Sequence, residues 1–276
     1  MAQIGKKNRL RVVKEVEFGV YLDGGEHGEI LLPRRYLPES WAKGEAIEVF
    51  VYLDSEDQLI ATTQRPRIMV GQCAYLKVKA VNKYGAFLDW GLAKDLLVPF
   101  KEQATRMQEG KSYVVCAYLD QESERIAASS KLHKHLQEQA DGFKPQQEVK
   151  LLICGRSDMG YKAVINHTHL GLIFKDDAFK PLKYSQKLIG YIKAIRDDGK
   201  IDLTLQPKGK AARKQLTEQI LDYLKQQGGV SNLTDKSPPE AIYQQFNVSK
   251  GSYKKALGAL YKQRKILIEQ DEIRLA

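Results

Sequence analysis

The 276-residue sequence has little cysteine. Only Cys73, Cys116 and Cys154 occur, and no two of them form a C-x-x-C pair. An odd number of widely spaced cysteines argues against a framework of disulfides. We therefore expect three free thiols in a reducing compartment.

Long apolar runs are also missing, since no stretch approaches the ~20 apolar residues that a membrane helix needs. The opening segment MAQIGKKNRL is basic, but no apolar core follows it as in a secretory signal. These absences predict a cytoplasmic protein with no membrane partner.

Motifs for catalysis and cofactor binding are scarce. The sequence has no glycine-rich phosphate loop and no G-x-S-x-G nucleophile motif. The pairs His133/His135 and His167/His169 lack partners at metal-ligand spacing, so we interpret them as surface residues. Asp176-Asp177 and Asp197-Asp198 could hold a metal in a nuclease, but the glycine after the second pair indicates a hairpin turn. We predict no enzymatic activity, no metal, no cofactor and no small-molecule substrate.

Positive charge exceeds negative charge, with 44 Lys and Arg against 34 Asp and Glu and a formal net charge of +10. The excess is uneven, because residues 1–65 hold 9 basic and 11 acidic side chains whereas residues 210–276 hold 12 and 7. A basic balance favours a polyanionic partner, nucleic acid first. Charge alone is equally compatible with a mildly basic soluble protein that has no such partner.

The sequence repeats itself. Shifted by 66 positions, Gly19 falls on Gly85 and Tyr52-Leu53-Asp54 falls on Tyr118-Leu119-Asp120. A weaker third copy follows at a shift of 75, which brings Gly85 onto Gly160, and its register slips by one or two residues around Asp197. Self-similarity over such a span indicates one structural unit in three copies.

Each copy predicts five short strands, because Val-, Ile- and Tyr-rich runs alternate with Gly, Asp and Ser clusters. Five strands in about 65 residues suit a small closed barrel of the OB type, which leaves no exposed strand edge. An SH3-like barrel is the alternative.

After the third copy the apolar period becomes helical, with Leu216, Ile220 and Leu224 on one face. Ser237-Pro238-Pro239-Glu240 predicts a second helix with Ser237 as its N-cap. A third helix opens at Ser249, and the chain ends in two short apolar runs around an acidic turn. Three helices and a hairpin are typical of a winged helix.

The predicted fold is therefore multi-domain and mainly β, with three tandem five-stranded OB-type barrels followed by an α+β winged-helix domain. The predicted domains are residues 1–66, 67–140, 141–209 (a divergent barrel) and 210–276.

Aromatic residues flank the repeat glycine in the first two copies, as Phe18 and Tyr21 and as Tyr84 and Phe87. In an ideal strand residues three apart face opposite sides, but a glycine bulge between them would bring both rings to one face. Two rings on one outer face make a stacking platform for unpaired bases. Alternatively, one or both rings fill the barrel core.

This aromatic-Gly-small-aromatic run, in a five-stranded repeat, resembles the S1 RNA-binding domain. Three such copies and a terminal winged helix resemble the conserved virulence factor B (CvfB) family of bacterial RNA-binding regulators. The resemblance covers essentially the whole chain. It implies OB-type barrels, RNA as the partner, a regulatory role in gene expression and no catalysis.

The sequence departs from the S1 pattern in two places. S1 domains often carry a histidine on the third strand, and here Arg34, Arg35 and Lys101 would supply phosphate contacts instead. In the third copy Lys162 takes a ring position, so this copy either binds differently or serves as a spacer.

Basic residues cluster in and just after the last predicted helix, and those we assign to nucleic-acid contact are Lys250, Lys254, Lys255 and Lys262. Phosphate contacts by such side chains release counterions and make binding salt-dependent. The alternative is a solvated helix face.

We interpret the protein as one that binds single-stranded RNA, mRNA included, by stacking and charge and regulates gene expression after transcription. A winged-helix transcription regulator that binds DNA, a scaffold associated with the ribosome and a metal-dependent nuclease are the alternatives. For the winged helix, the sequence leaves two kinds of partner open, nucleic acid and protein.

Overall fold

The structure is a computed structural model that describes residues 1–207 and 210–276. It holds three closed five-stranded barrels and a helical domain that ends in a three-stranded sheet. The predicted end of the third domain, residue 209, lies outside the described residues. By its contacts the chain divides into two units, Met1–Glu138 with Val164–Leu170, and Gln139–Ala163 with Gly171–Ala276.

Barrel 1 has the strand order β1-β2-β3-β5-β4, closed by the pairing of β4 with β1. This is the order of the OB fold, so the SH3-like alternative was wrong. Alternate residues such as Val20, Leu22 and Leu32 are fully buried inside it. Its strands are β1 (Lys7–Val16), β2 (Gly19–Asp23), β3 (Glu29–Pro33), β4 (Ala46–Leu53) and β5 (Leu59–Thr62).

Barrel 2 repeats this arrangement, as the 66-residue shift predicts. Its interior contains Leu76, Val78, Ala86 and Leu88, all of them buried. Its strands are β6 (Cys73–Val81), β7 (Gly85–Leu88), β8 (Leu96–Pro99), β9 (Ser112–Leu119) and β10 (Ile126–Ser129).

Barrel 3 confirms the third copy. The expected slip near Asp197 is a bulge at Lys193, where the pairing of β14 with β15 shifts by one residue. The Asp197-Asp198 pair lies in a turn, in which the Asp198 carboxylate accepts a hydrogen bond from the Lys200 backbone N–H. The elements are β11 (Glu148–Arg156), β12 (Gly160–Ile165), β13 (His169–Phe174), the short helix α1 (Lys175–Ala178), β14 (Lys187–Ile195) and β15 (Ile201–Thr204).

The repeat glycine begins the second strand of every barrel because a side chain has no room there. A Cβ on Gly19, Gly85 or Gly160 would lie 2.0–2.3 Å from a carbonyl oxygen of the third strand. Backbone cannot move aside as a flexible side chain can, so only glycine allows the two strands to approach this closely.

The barrels of the first unit share an aromatic interface. Trp90 of barrel 2 is buried and packs edge-on against Phe50 and Tyr52 of barrel 1, with ring centroids 5.7 and 6.3 Å apart. The side chain of Lys94 donates a hydrogen bond to the Leu53 carbonyl at 3.1 Å. The two barrels are therefore joined by packing and polar contacts as well as by the chain.

The expectation of three free thiols was wrong. Cys73 and Cys116 form a disulfide between directly paired residues of β6 and β9, and Cys154 lies outside this disulfide. The two cysteines are 43 residues apart in sequence. Their pairing depends on strand register, which cysteine spacing does not reveal.

The winged helix forms as predicted around Ile220, Leu224, Tyr253 and Leu260. Ser249 caps the last helix by accepting a hydrogen bond from the Ser252 N–H. The elements are α2 (Lys210–Gln226), β16 (Val230–Ser231), α3 (Pro239–Phe246), α4 (Lys250–Lys262), β17 (Ile266–Ile268) and β18 (Ile273–Leu275). In the described part of the chain, no helix combines the length and the apolarity needed to cross a membrane.

The predicted cap at Ser237 was wrong. Helix α3 begins at Pro239, with Pro238 in the cap position. The Ser237 hydroxyl instead accepts a hydrogen bond from the Thr234 N–H and donates one to the Asn232 carbonyl, in the turn before the helix. A serine side chain is short enough to hydrogen-bond to neighbouring backbone groups, in turns as well as at helix caps.

Candidate nucleic-acid interface

The four predicted platform rings stand on the outside of their barrels. Phe18 is 58% exposed and Tyr84 is 62% exposed, while Tyr21 and Phe87 are half-buried. Val20, which lies between the rings of barrel 1, is fully buried inside. The alternative in which the rings fill the cores was therefore wrong.

The reason for this shared orientation differs from the predicted glycine bulge. The bulges lie on the neighbouring strand, at Val13 in β1 and at Lys79 in β6. Phe18 and Tyr84 precede their glycines and belong to the hairpin turns. Because alternation applies only within a strand, these rings are free to lie on the same side as Tyr21 and Phe87.

A groove of about 580 Å³ runs across this face of barrel 2. Its lining includes the rings of Tyr84, Phe87 and Tyr118 and the cationic side chains of Lys94, Lys101 and Arg125. Flat rings beside cations are the combination that binds unpaired nucleotides, by stacking on the bases and pairing with the phosphates.

Tyr118 is a platform residue that the sequence interpretation missed. Burial, together with the nearby carboxylates of Glu102 and Asp120, raises the pKa of Tyr118 to about 12. The phenol therefore stays neutral at physiological pH. Its ring stacks on His135, with centroids 4.4 Å apart. The third strand has no histidine, but the segment after barrel 2 brings one against the platform.

Barrel 1 exposes a smaller aromatic surface for stacking than barrel 2 does. Tyr52, the counterpart of Tyr118 at the 66-residue shift, is only 4% exposed because Trp90 covers it. Phe18 and Tyr21 remain accessible and lie edge to face, 6.4 Å apart. The first two barrels therefore present unequal stacking faces.

The predicted cations of barrel 1 divide into two roles. The Arg34 guanidinium donates a hydrogen bond to the Glu17 carbonyl at 2.9 Å and lies 3.5 Å from the Glu15 carboxylate, so it holds the hairpin turn. Arg35 is exposed and lies over the Tyr36 ring. Since Lys101 is the counterpart of Arg35, these two side chains are the better placed for phosphate.

Barrel 3 has no equivalent ring platform in the corresponding positions. Met159 and Lys162 are exposed where Tyr84 and Phe87 stand, and Tyr161 is buried. At the 75-residue shift Lys193 corresponds to Tyr118, but it lies in the bulge of β14 and forms an ion pair with Asp177 at 2.6 Å. This face is one of charges, of which Lys162 is the predicted contact.

The histidine pairs and the acidic pairs do not form a metal site. His133 and His167 are exposed as expected, but His135 is half-buried and His169 is buried, so the surface interpretation was wrong for these two. Among the described residues, no three His, Cys, Asp or Glu side chains come together to hold a metal ion.

A buried carboxylate supports the platform from behind. The Glu102 carboxylate accepts hydrogen bonds from Ser129 at 2.7 Å and Lys134 at 2.9 Å and lies 3.5 Å from His135. Burial alone would raise the pKa of Glu102, but these contacts outweigh it and lower the pKa to about 2. Glu102 therefore connects the turn that contains Lys101 to the segment that contains His135.

Replacing Glu102 by glutamine is expected to destabilise the first unit by roughly 1.5–3 kcal/mol at pH 7, the range for hydrogen bonds to a charged group. A lowered folded-state pKa contributes stability above the unfolded value near 4.5, and this contribution is lost as pH falls toward 2. Urea unfolding across this pH range should therefore show the variant and the parent converging in acid. Exposed Glu109→Gln is the control, and a deficit that persists at pH 2 would contradict the account.

The basic residues of the winged helix are differently engaged. Lys254 lies 3.4 Å from the Asp235 carboxylate, and Lys250 donates a hydrogen bond to the Lys236 carbonyl at 3.1 Å. Lys255 and Lys262 are exposed. In the wing, Arg274 pairs with both Glu269 and Glu272. Acidic groups therefore stand beside several of the cations in this domain.

Comparison with known proteins agrees with this architecture. The S1 domain family matches residues 4–64 and 70–130, and the CvfB-like winged helix domain matches residues 218–275. Tandem S1 domains followed by a winged helix define a nucleic-acid-binding protein, and neither family is one of enzymes.

The chain carries two S1 domains and a CvfB-like winged helix domain, and proteins named conserved virulence factor B are similar to it over most of its length. It is 28% identical to conserved virulence factor B of Staphylococcus aureus (strain N315) over 247 residues, which cover 84% of this chain and 80% of that protein. It is 26% identical to the protein YitL of Bacillus subtilis (strain 168) over 274 residues, 96% of this chain and 91% of that one.

Among solved structures, a multidomain protein with nucleic acid binding domains from Streptococcus pneumoniae is similar. It is 23% identical with a TM-score of 0.41, and the match covers 99% of this chain and 98% of that chain.

Proposed function

We propose that the protein binds single-stranded RNA, chiefly through the groove of barrel 2, and acts in the cytoplasm as a post-transcriptional regulator. The observation that carries the proposal is the combination of aromatic rings and cations in the lining of this groove, which includes Tyr84, Phe87, Tyr118, Lys94, Lys101 and Arg125. A double helix keeps its bases stacked on one another, so only an unpaired strand can lay them against such rings.

The remaining predicted contacts extend this path. Phe18, Tyr21 and Arg35 would hold a second stretch of RNA on barrel 1, and Lys162 would contact phosphate on barrel 3. Lys255 and Lys262 are the winged-helix residues best exposed for phosphate, whereas Lys250 and Lys254 would first have to leave the partners described above. Several weak contacts on one chain add to the affinity by raising the effective concentration.

The test is direct binding of a labelled oligouridine of about 12 nucleotides, followed by fluorescence anisotropy, in competition with duplex DNA of equal length. We expect the single strand to win. About four phosphate contacts would weaken binding by roughly fifty-fold between 50 and 200 mM salt. Preference for the duplex would instead support the winged helix as a DNA-binding module, and no binding to either would overturn the proposal.

A further inference from the structure

Two hairpin tips, one from each of the first two barrels, meet at the edge of the barrel 2 groove. The Arg125 guanidinium, in the β9–β10 hairpin, donates a hydrogen bond to the Asp57 carboxylate of the β4–β5 hairpin. The Lys94 ammonium lies 3.9 Å from the same carboxylate. All three side chains line the groove.

This ion pair is not part of the repeated barrel. At the 66-residue shift, Leu59 of barrel 1 corresponds to Arg125, and Asp57 corresponds to Ser123 of barrel 2. Barrel 1 closes without a cation at Leu59, and barrel 2 closes without a carboxylate at Ser123. The arginine is therefore an addition to barrel 2, and its acidic partner comes from the neighbouring barrel.

The position of the carboxylate is fixed. The Asp54 side chain accepts hydrogen bonds from the Glu56 and Gln58 N–H groups, at 2.8 and 3.0 Å, which shapes the hairpin. Lys94 holds the base of the hairpin through the carbonyls of Leu53 and Asp54. Asp57 is thus held against Arg125 by the structure of the inter-barrel contact.

The pair itself is weak enough to be exchanged. The Arg125 side chain is 54% exposed and the Asp57 side chain is 46% exposed. Ion pairs at such exposed sites contribute little to stability. A phosphate presents oxygens to a guanidinium much as a carboxylate does, so it can replace the carboxylate at small cost.

We infer that Arg125 is a phosphate subsite of the groove, occupied in the free protein by Asp57, and that a backbone phosphate of the bound RNA displaces this carboxylate. The inference rests on the proposed function of the groove. It assigns Asp57 the role of a competing anion that lowers affinity and favours strands able to place a phosphate at Arg125.

The test is the variant Asp57→Asn. Asparagine keeps the turn, because it adopts the positive φ of 59° at this position readily. The variant should bind the 12-nucleotide oligouridine about three- to tenfold more tightly at 50 mM salt, since one nearby negative charge is gone.

Arg125→Gln should weaken binding several-fold, and in this background Asp57→Asn should have no effect, because the cation that it frees is missing. Asp197→Asn removes the same charge from an exposed hairpin of barrel 3 and should leave affinity unchanged. If it tightens binding as much as Asp57→Asn does, the effect is one of net charge and the inference is overturned.

The inference and the proposed function fail in different ways. Loss of binding by the Tyr84→Ala/Phe87→Ala variant, with unchanged binding by both Asp57→Asn and Arg125→Gln, would reject the phosphate subsite and retain the groove. If the unaltered protein does not bind the strand, the proposed function itself fails. Should Asp57→Asn lower the unfolding midpoint, Arg125→Gln decides alone, since unchanged affinity in that variant rejects the subsite.

Discussion

Replacing Tyr84 and Phe87 together by alanine is expected to weaken binding of single-stranded RNA by at least about thirty-fold. Each stacked base contributes ~1–3 kcal/mol, and about 1.4 kcal/mol corresponds to a factor of ten. Both rings line the groove, so their loss removes most of the surface on which bases can lie. Anisotropy with the 12-nucleotide oligouridine measures the effect directly.

The equivalent change in barrel 1, Phe18→Ala with Tyr21→Ala, is expected to cost less, roughly five- to tenfold. The third ring of that face, Tyr52, is only 4% exposed and packs against Trp90, so it offers little surface to a base. Tyr75→Ala is the matched control, since Tyr75 is an exposed tyrosine of barrel 2 that does not line the groove. An equal loss from both barrels would show that the groove of barrel 2 is not the principal site.

Replacing Trp90 by alanine is expected to destabilise the first unit by about 3–5 kcal/mol, the usual cost of truncating a buried aromatic side chain. The ring is buried, packs edge-on against Phe50 and Tyr52, and donates its N–H to the Lys94 carbonyl. The edge-on contacts add to the loss beyond the area exposed. Because this ring joins two barrels, their unfolding should also become less cooperative.

Urea unfolding followed by far-ultraviolet circular dichroism tests this expectation. The variant should show an earlier and broader transition, and Trp90→Phe should recover part of the loss. Trp41→Ala is the control, because Trp41 is half-buried at the edge of the core of barrel 1 and does not join the barrels. A single sharp transition at the midpoint of the parent protein would contradict the role of Trp90.

Much of the fold follows from local patterns in the sequence. The 66-residue repeat predicts two barrels of identical strand order, and the helical spacing of Leu216, Ile220 and Leu224 predicts the first helix of the winged domain. These patterns arise from residues close together in the chain, whose burial depends on the period of a single strand or helix. The outward orientation of the four predicted rings was anticipated for a different reason, since the bulges lie on β1 and β6 and not at the glycines between the rings.

Features that depend on contacts between distant segments were not predictable. The disulfide joins residues 43 apart, and Lys94 reaches Leu53 across 41 positions. Sequence periodicity does not show that Glu102 contacts Ser129 and Lys134, or that Tyr52 is 4% exposed while its counterpart Tyr118 is half-buried. These contacts require the register of closed barrels and the docking of one barrel on another, which sequence periodicity does not contain.

Trp90 and Lys94 fix barrel 1 against barrel 2. Under the proposed function, this contact affects which RNAs the protein would select. The binding faces of these two barrels are therefore held at a fixed distance from each other. An RNA whose unpaired segment is too short to span both faces gains no affinity from the second face. Under the proposed function, the length of the unpaired segment, as well as the identity of its bases, would then determine which RNAs the protein binds.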